Sequence, residues 1–147
     1  MLLDAVARAI VAQYPQLPVY VEQVPQGLQQ GFSLLTVDSS LDEQIGNRFL
    51  SRWLLTVRYF PQDDGTSSSY EELHQVAMGL YACLREVPTL EEGFSPYHGY
   101  QLRHRVEDNV LHFFASYTAM LSLDLPEEAK QLQLEVNRVQ TKVGEEQ

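Results

Sequence analysis

The sequence predicts an α+β fold in which two helices pack on a mainly antiparallel sheet. Two segments carry apolar residues at helical spacing, several other segments alternate with period two, and turn residues separate the alternating segments. The expected order of elements is α-β-β-β-α-β-β, with two long hairpins. At 147 residues the chain has the size of one domain and is long enough to bury a substantial core.

The first helix is predicted over residues 2–14 and is followed by a short strand. Its apolar stripe consists of Leu2, Leu3, Val6, Ile10 and Tyr14. Pro15 ends the helix because the residue before a proline avoids the helical region. Residues 19–21 then have the composition of a strand that ends before Pro25 and Gly27. A helix this short is marginal by itself in water, so we expect it to pack on a sheet.

A long hairpin follows. Residues 32–37 form its first strand, and residues 49–59 form its second, with an apolar inner face and a partly cationic outer face. The polar segment between them, residues 38–47, is interpreted as a loop that carries the carboxylates Asp38, Asp42 and Glu43. The second strand is roughly twice the usual five or six residues. Such strands in a small protein extend beyond their own core, where a neighbouring subunit can pack on them. This favours an assembly component over an enzyme.

The second helix is predicted from about residue 70 to residue 85. Its apolar stripe consists of Tyr70, Leu73, Val76, Ala77, Leu80, Tyr81 and Leu84. Ser69 and Glu72 match a capping box, in which two side chains satisfy the free donors of the first turn reciprocally. The helix is expected to stop before Pro88.

A second long hairpin is predicted after this helix. Residues 88–99 contain two prolines and two glycines and are interpreted as a loop. Residues 100–106 and 110–123 then alternate and are joined by a short polar turn. Residues 1–125 therefore form the predicted domain. Residues 126–147 form a polar C-terminal extension that is partly strand or disordered.

The composition excludes several classes of protein. Ten Lys and Arg stand against 20 Asp and Glu, a formal net charge of −10, and a chain this acidic does not grip phosphate backbones. The single Cys83 excludes an internal disulfide framework and is expected to be a small buried apolar side chain. Asp4 and Arg8 interrupt any signal peptide, and no segment has the ~20 apolar residues of a membrane span. We expect a soluble intracellular protein with no membrane partner.

The sequence holds little that indicates catalysis or metal binding. Glu71 and His74 have the spacing of carboxylate metal sites in helix bundles, but such sites need further carboxylates from facing helices. His104 and His112 can meet across the second hairpin, yet two ligands without a third make a weak site. No nucleotide-binding loop or nucleophile elbow is present. We expect no enzyme activity, no metal and no cofactor.

Four arginines are predicted on the outer faces of two long strands. They are Arg52 and Arg58 on the third strand and Arg103 and Arg105 on the fourth. One interpretation is an ordinary solvated sheet surface. The other pairs these cations with acidic loops of an adjacent copy in a ring, through a heterologous contact that closes by rotation.

Three segments in series resemble a known family. They are VYVEQVPQGL at 19–28, EQIGNRFLSRWLLTVRYFP at 43–61 and NVLHFFASY at 109–117. Together they resemble the phage tail terminator family found in prophages and tailed phages of Gram-positive bacteria. The resemblance covers about residues 2–125 in the right order and spacing.

The resemblance implies a structural role. Tail terminators are small α+β subunits that form a hexameric ring on the completed tail tube. The ring stops polymerisation of the tail tube protein and offers a surface to the head completion or connector protein. DNA passes through its bore without specific binding. The resemblance also implies a place in the virion at the tail–neck junction, after assembly in the host bacterial cytoplasm, and no catalytic residue.

We hypothesise that the acidic segment with Asp38, Asp42 and Glu43 lines the bore or a subunit contact. An acidic lumen repels DNA within a Debye length of ~8 Å at physiological salt, so the genome can slide through. Two alternatives stay open. A head completion or stopper protein of the neck would have a smaller barrel with a plugging loop. A small-molecule-binding α+β domain would be a monomer or dimer with a deep apolar cavity.

Overall fold

The computed structural model describes residues 2–27, 30–62, 70–90 and 95–122. The elements in chain order are α1 (Leu2–Gln13), β1 (Val19–Val21), β2 (Gly31–Glu43), β3 (Arg48–Phe60), α2 (Tyr70–Leu84), β4 (Glu86–Val87), β5 (Tyr97–Glu107) and β6 (Val110–Ser122). The strands form a six-stranded sheet in the order β1-β2-β3-β6-β5-β4. The β1–β2 pair is parallel and the other pairs are antiparallel. The predicted fold class is confirmed, and the two-residue β4 is an addition to it.

Both helices pack on the same face of the sheet. Their apolar stripes meet the alternate residues of β2, β3 and β6 that point to this face, as period-two alternation requires. The fully buried core includes Val6, Ile10, Phe32, Leu34, Leu55, Val57, Leu73, Leu80, Leu84, Leu111 and Phe113. The opposite face of the sheet, which we call the outer face, has no helix on it among the described residues.

The helices approach each other closely at Gly79. A Cβ atom at this position would lie 2.0 Å from the hydroxyl oxygen of Tyr14. That hydroxyl donates a hydrogen bond to the carbonyl oxygen of Val76 at 3.2 Å, and the Tyr14 ring packs on Phe32 with centroids 5.2 Å apart. The absence of a side chain at Gly79 therefore lets the end of α1 lie against α2.

The second hairpin begins earlier than the sequence predicted. β5 starts at Tyr97, and Gly99 pairs with Tyr117 across the sheet, so interpreting all of residues 88–99 as a loop was wrong. The glycine serves close packing rather than a turn, because a Cβ atom on Gly99 would lie 2.6 Å from the carbonyl oxygen of Leu84. The buried Tyr117 hydroxyl donates to that same carbonyl at 2.6 Å. The end of α2 is thus tied directly to the β5–β6 hairpin.

The turn of this hairpin is where the sequence placed it. Asp108 and Asn109 both have positive φ, 53° and 60°, which suits a two-residue turn between strongly twisted strands. The predicted capping residue Ser69 and the predicted extension at 126–147 lie outside the described residues. In the part of the chain that the structure describes, no helix has the length and apolar character needed to cross a bilayer.

Candidate functional site

The first hairpin extends well past the part of the sheet that the helices cover. β2 pairs with β3 as far as Glu43 opposite Phe49, and β3 pairs with β6 as far as Arg48 opposite Ser122. Each of these strands has 13 residues, about 40 Å at the usual rise per residue. We call the three-stranded end formed by residues 38–52 and 118–122 the distal ribbon.

The carboxylates Asp38, Asp42 and Glu43 lie on β2, so the prediction that they sit in a loop was wrong. The turn is confined to residues 44–47, where Gly46 and Asn47 have positive φ. The polar sequence that suggested a loop has a different cause. Every residue from Val37 to Arg48 is exposed, and a strand with solvent on both faces has no reason to alternate.

The three carboxylates do not share one face. Asp38 and Asp42 are paired with Leu54 and Leu50, which places them on the outer face with Arg52. Asp42 forms an ion pair with Arg52, with 3.3 Å between its Oδ2 and the arginine Nε. Glu43 is paired with Phe49 and therefore lies on the helix side of the sheet. The acidic cluster expected from the sequence is split between two surfaces.

The distal ribbon also exposes apolar side chains. Ile45 at the turn is 97% exposed, Leu41 is 53% exposed and Met120 is 56% exposed. Phe49 is half-buried on the helix side. Beyond Leu34, β2 has no strand pairing on its other side within the described ranges. Among the described residues this leaves an uncovered apolar surface beside an unpaired sheet edge, a combination typical of surfaces that bind another chain.

The four arginines lie on the outer face, but Arg52 is separated along the sheet from the other three. Arg52 belongs to the distal ribbon. Arg103 and Arg105 lie over the Phe114 ring at 5.1 and 5.6 Å. Arg58 and Arg105 flank His112 in a single row across β3, β6 and β5.

This row borders an open depression of about 560 Å³ on the outer face. Its lining is Val37, Thr56, Arg58, Phe60, Arg105, Glu107, Asp108, Val110, His112 and Phe114. Two buried polar atoms in it, Oγ1 of Thr56 and Nε of Arg58, have no hydrogen-bond partner among the described residues. An unpaired buried polar group costs about 1–3 kcal/mol, which a partner group can recover.

At neutral pH the lining of the depression sets two arginines, Arg58 and Arg105, against two carboxylates, Glu107 and Asp108. Burial, followed by the charges of Arg58 and Arg105, lowers the pKa of His112, so its ring is neutral there. Glu107 forms a loose, exposed ion pair with Arg105 at 3.6 Å. Arg58 has no ion pair with any carboxylate in the described ranges. The Arg58 guanidinium is therefore suited to an acidic partner.

The histidines meet differently from the sequence expectation. His104 is paired with Phe113 and His112 with Arg105, so the two rings lie on opposite faces and do not meet. His104 instead contacts His74 of α2, with 3.1 Å between its Nε2 and the Nδ1 of His74. Tyr81 contributes its hydroxyl at 2.8 Å from Nδ1 of His104. Among described residues, no three His, Cys, Asp or Glu side chains form a group that could hold a metal.

Two further expectations concern the burial of Cys83 and the presence of a deep small-molecule cavity. Cys83 is partly buried, and burial raises the pKa of its thiol to about 11, so it is protonated at neutral pH. It lines a second depression of about 340 Å³ beside α1. Both depressions are open to solvent, whereas a small-molecule-binding domain was expected to hold a deep apolar cavity.

Comparisons with known proteins bear on the family resemblance. Among solved structures, a chain from the virion of a native gene transfer agent particle is 15% identical, with 81% of this chain and 92% of that chain covered and a TM-score of 0.49. No curated protein matches the sequence. A family model described as phage tail terminator protein matches residues 1–130. Since that match covers most of the 147 residues, the chain belongs to the phage tail terminator proteins.

Proposed function

We propose that this protein ends the tail tube as a ring of identical subunits, six in number as the family resemblance implies. The ring stops addition of the tail tube protein and offers a surface to the head completion or connector protein. It stands at the tail–neck junction of the virion, after assembly in the bacterial cytoplasm. This role needs no catalysis and no cofactor.

The distal ribbon is the observation that carries the proposal. Two 13-residue strands continue past the core into this ribbon, and β2 is exposed from Val37 onward. Leu41 and Ile45 are more than half exposed there, beside an unpaired sheet edge. Burial of such groups against a neighbour is favourable at roughly 25 cal/mol per Å² of apolar surface. Contact between unlike surfaces of successive copies produces a closed ring when the rotation closes.

Passage of DNA accounts for the acidity of the chain. Six copies would carry six times the net charge of −10, which disfavours adsorption of DNA to the bore. Asp38 and Asp42 lie on the opposite face from Glu43, so we assign the first two to the bore and Glu43 to a subunit contact. Replacing Asp38 and Asp42 by Asn should slow genome ejection, and unchanged ejection kinetics would count against this assignment.

Deletion of the gene from its phage tests the function as a whole. Tails of abnormal and uncontrolled length are expected in electron micrographs, because nothing then stops addition of tube protein. Supply of the protein from a plasmid should restore a single tail length. Tails of normal length beside filled heads that leak DNA would instead identify a stopper of the neck.

A further inference from the structure

We infer that the depression around Arg58 receives the Glu43 carboxylate of the adjacent copy. This inference rests on the proposed ring and specifies the contact that closes it. The occupant is a second copy of this chain, and the contact joins the helix side of one distal ribbon to the outer face of the next subunit.

The depression has the chemistry of a carboxylate receptor. Nε of Arg58 is a buried donor without a partner among the described residues, and the hydroxyl of Thr56 two residues earlier is also unpaired. Both side chains point to the same face because they are two residues apart on β3. Arg105 adds a second guanidinium at the rim. Arginine donors form charge-assisted hydrogen bonds with carboxylates that are stronger than neutral ones.

Among the described carboxylates, Glu107 and Asp108 line the depression, and neither forms an ion pair with Arg58. Glu107 contacts Arg105 at the exposed rim, and its Oε2 lies 3.6 Å from the arginine nitrogen. Asp42 is paired with Arg52 on the distal ribbon. Arg58 has no carboxylate partner in the part of the chain that the structure describes. An acid of the adjacent copy can therefore supply the partner that no described residue supplies.

Glu43 fits this role better than Asp38. Glu43 is exposed, forms no ion pair with another described residue, and lies on the helix side of the ribbon with Leu41 and Phe49. Asp38 lies on the same outer face as the depression itself. A contact through Asp38 would join two like surfaces and favour a closed pair of subunits. A contact through Glu43 joins unlike surfaces and can continue around a ring.

Apolar groups accompany the charge on both sides of this contact. Leu41 and Phe49 flank Glu43 on the ribbon. Phe60 and Phe114 line the depression, and Val37 at its edge is 51% exposed. An apolar surround excludes water from the ion pair and raises the loss of affinity when one partner is changed.

Charge reversal in two separate subunits tests the contact. Glu43→Arg and Arg58→Glu are each added to purified tail tubes that lack the terminator, and capped tube ends are counted by electron microscopy. Each variant alone should need at least about 30-fold more protein for half-maximal capping, because a buried charge pair is replaced by repulsion. An equal mixture of the two should recover capping, since alternating copies then place opposite charges at every contact.

Two matched controls separate this contact from a general effect of charge. Asp38→Arg makes the same charge change on β2 but on the outer face, and Arg103→Glu makes it on β5 outside the depression lining. Both should cap tubes within about threefold of wild type if the contact is as we infer. Thermal melting checks that each variant is folded. Arg105→Glu, at an exposed residue, replaces Arg58→Glu if the latter does not fold.

The outcomes distinguish the inference from the proposed function. Failure of the wild-type protein to cap tubes would overturn the function itself. Wild-type capping together with normal capping by both single variants would overturn only the Glu43 contact. Loss in the single variants without recovery in the mixture would also overturn it, because a contact between copies must be rescued in trans.

Discussion

The two ends of β3 differ in what covers them. From Leu55 to Tyr59 its inward side chains are fully or almost fully buried under the helices, whereas at Arg48 and Phe49 the strand lies beyond the helices with residues still accessible to solvent. One continuous strand thus supports the fold at one end and presents a free surface at the other. Stability and assembly are therefore expected to depend on different residues of the same strand.

The largest expected difference in unfolding free energy is between alanine substitutions of two phenylalanines on neighbouring strands. Phe113 is fully buried in the core, and Phe49 is half-buried on the distal ribbon. Phe113→Ala should lower the free energy of unfolding by about 3–5 kcal/mol, because it removes buried apolar area and leaves a cavity. Phe49→Ala should cost less than about 1 kcal/mol in the free subunit. Chemical denaturation measures both. Equal losses would mean that the ribbon belongs to the core.

A second comparison removes one tyrosine hydroxyl from the core and one from the exposed outer face. Tyr117→Phe leaves the Leu84 carbonyl without the hydroxyl that donates to it at 2.6 Å. The expected loss is about 1–3 kcal/mol of unfolding free energy. Tyr100→Phe, at a tyrosine 39% exposed on the outer face, serves as the control and should stay within about 0.5 kcal/mol of wild type. If thermal melting ranks the two variants the other way, the link between α2 and β6 is not needed for stability.

The contact of His104 with α2 should make stability depend on pH. Burial, and then nearby His74, lower the pKa of His104 below its ordinary value of 6.5. The unfolded chain therefore takes up a proton at higher pH than the folded chain. Stability should be full above pH 6.5 and fall as the pH drops through the lowered pKa. His112, whose pKa is also lowered, adds a change of the same sign.

Denaturation of His104→Gln at several pH values isolates this contribution. The variant should lose less stability than wild type between pH 7.5 and pH 5, because one of the groups that titrates on unfolding is gone. His98→Gln, on the exposed part of β5, removes a histidine outside this contact and is the matched control. A slope unchanged by His104→Gln would show that the ring stays uncharged, or equally charged, in both states.

The smallest expected change in unfolding free energy follows removal of the ion pair within the distal ribbon. Arg52 and Asp42 are 55% and 53% exposed, so solvent screens their attraction. Asp42→Asn should change the unfolding free energy of the subunit by less than about 1 kcal/mol, and less still at high salt. Denaturation at two salt concentrations checks this. A loss of several kcal/mol would indicate that the ribbon contributes to folding as well as to assembly.

The sequence was most informative where one face of an element is covered. Burial of one side produced the helical stripes through Val6 and Leu80 and the alternation around Val57. The elements that contain these residues were therefore predicted correctly. The distal half of β2 was predicted as a loop because neither of its faces is covered and no alternation results. Gly99 was interpreted as a chain breaker because close packing against α2 leaves no trace in the local sequence.

The candidate site was only partly predictable for a related reason. Alternation on β3 and β5 placed Arg58 and Arg105 on the outer face correctly, since register within a strand is local information. The row through His112 depends on pairing between strands distant in sequence. The contact of His74 with His104 depends on how α2 lies on β5. The hydrogen-bond partners that Thr56 and Arg58 lack among the described residues can be recognised only after the strands are paired.

A reconstruction of the capped tube end by electron microscopy tests the central claim most directly. We expect a ring in which the distal ribbon of each subunit lies across the outer face of the next, with Glu43 close to Arg58 of its neighbour. A ring whose ribbons extend freely into solvent, with subunits joined through other surfaces, would contradict the account.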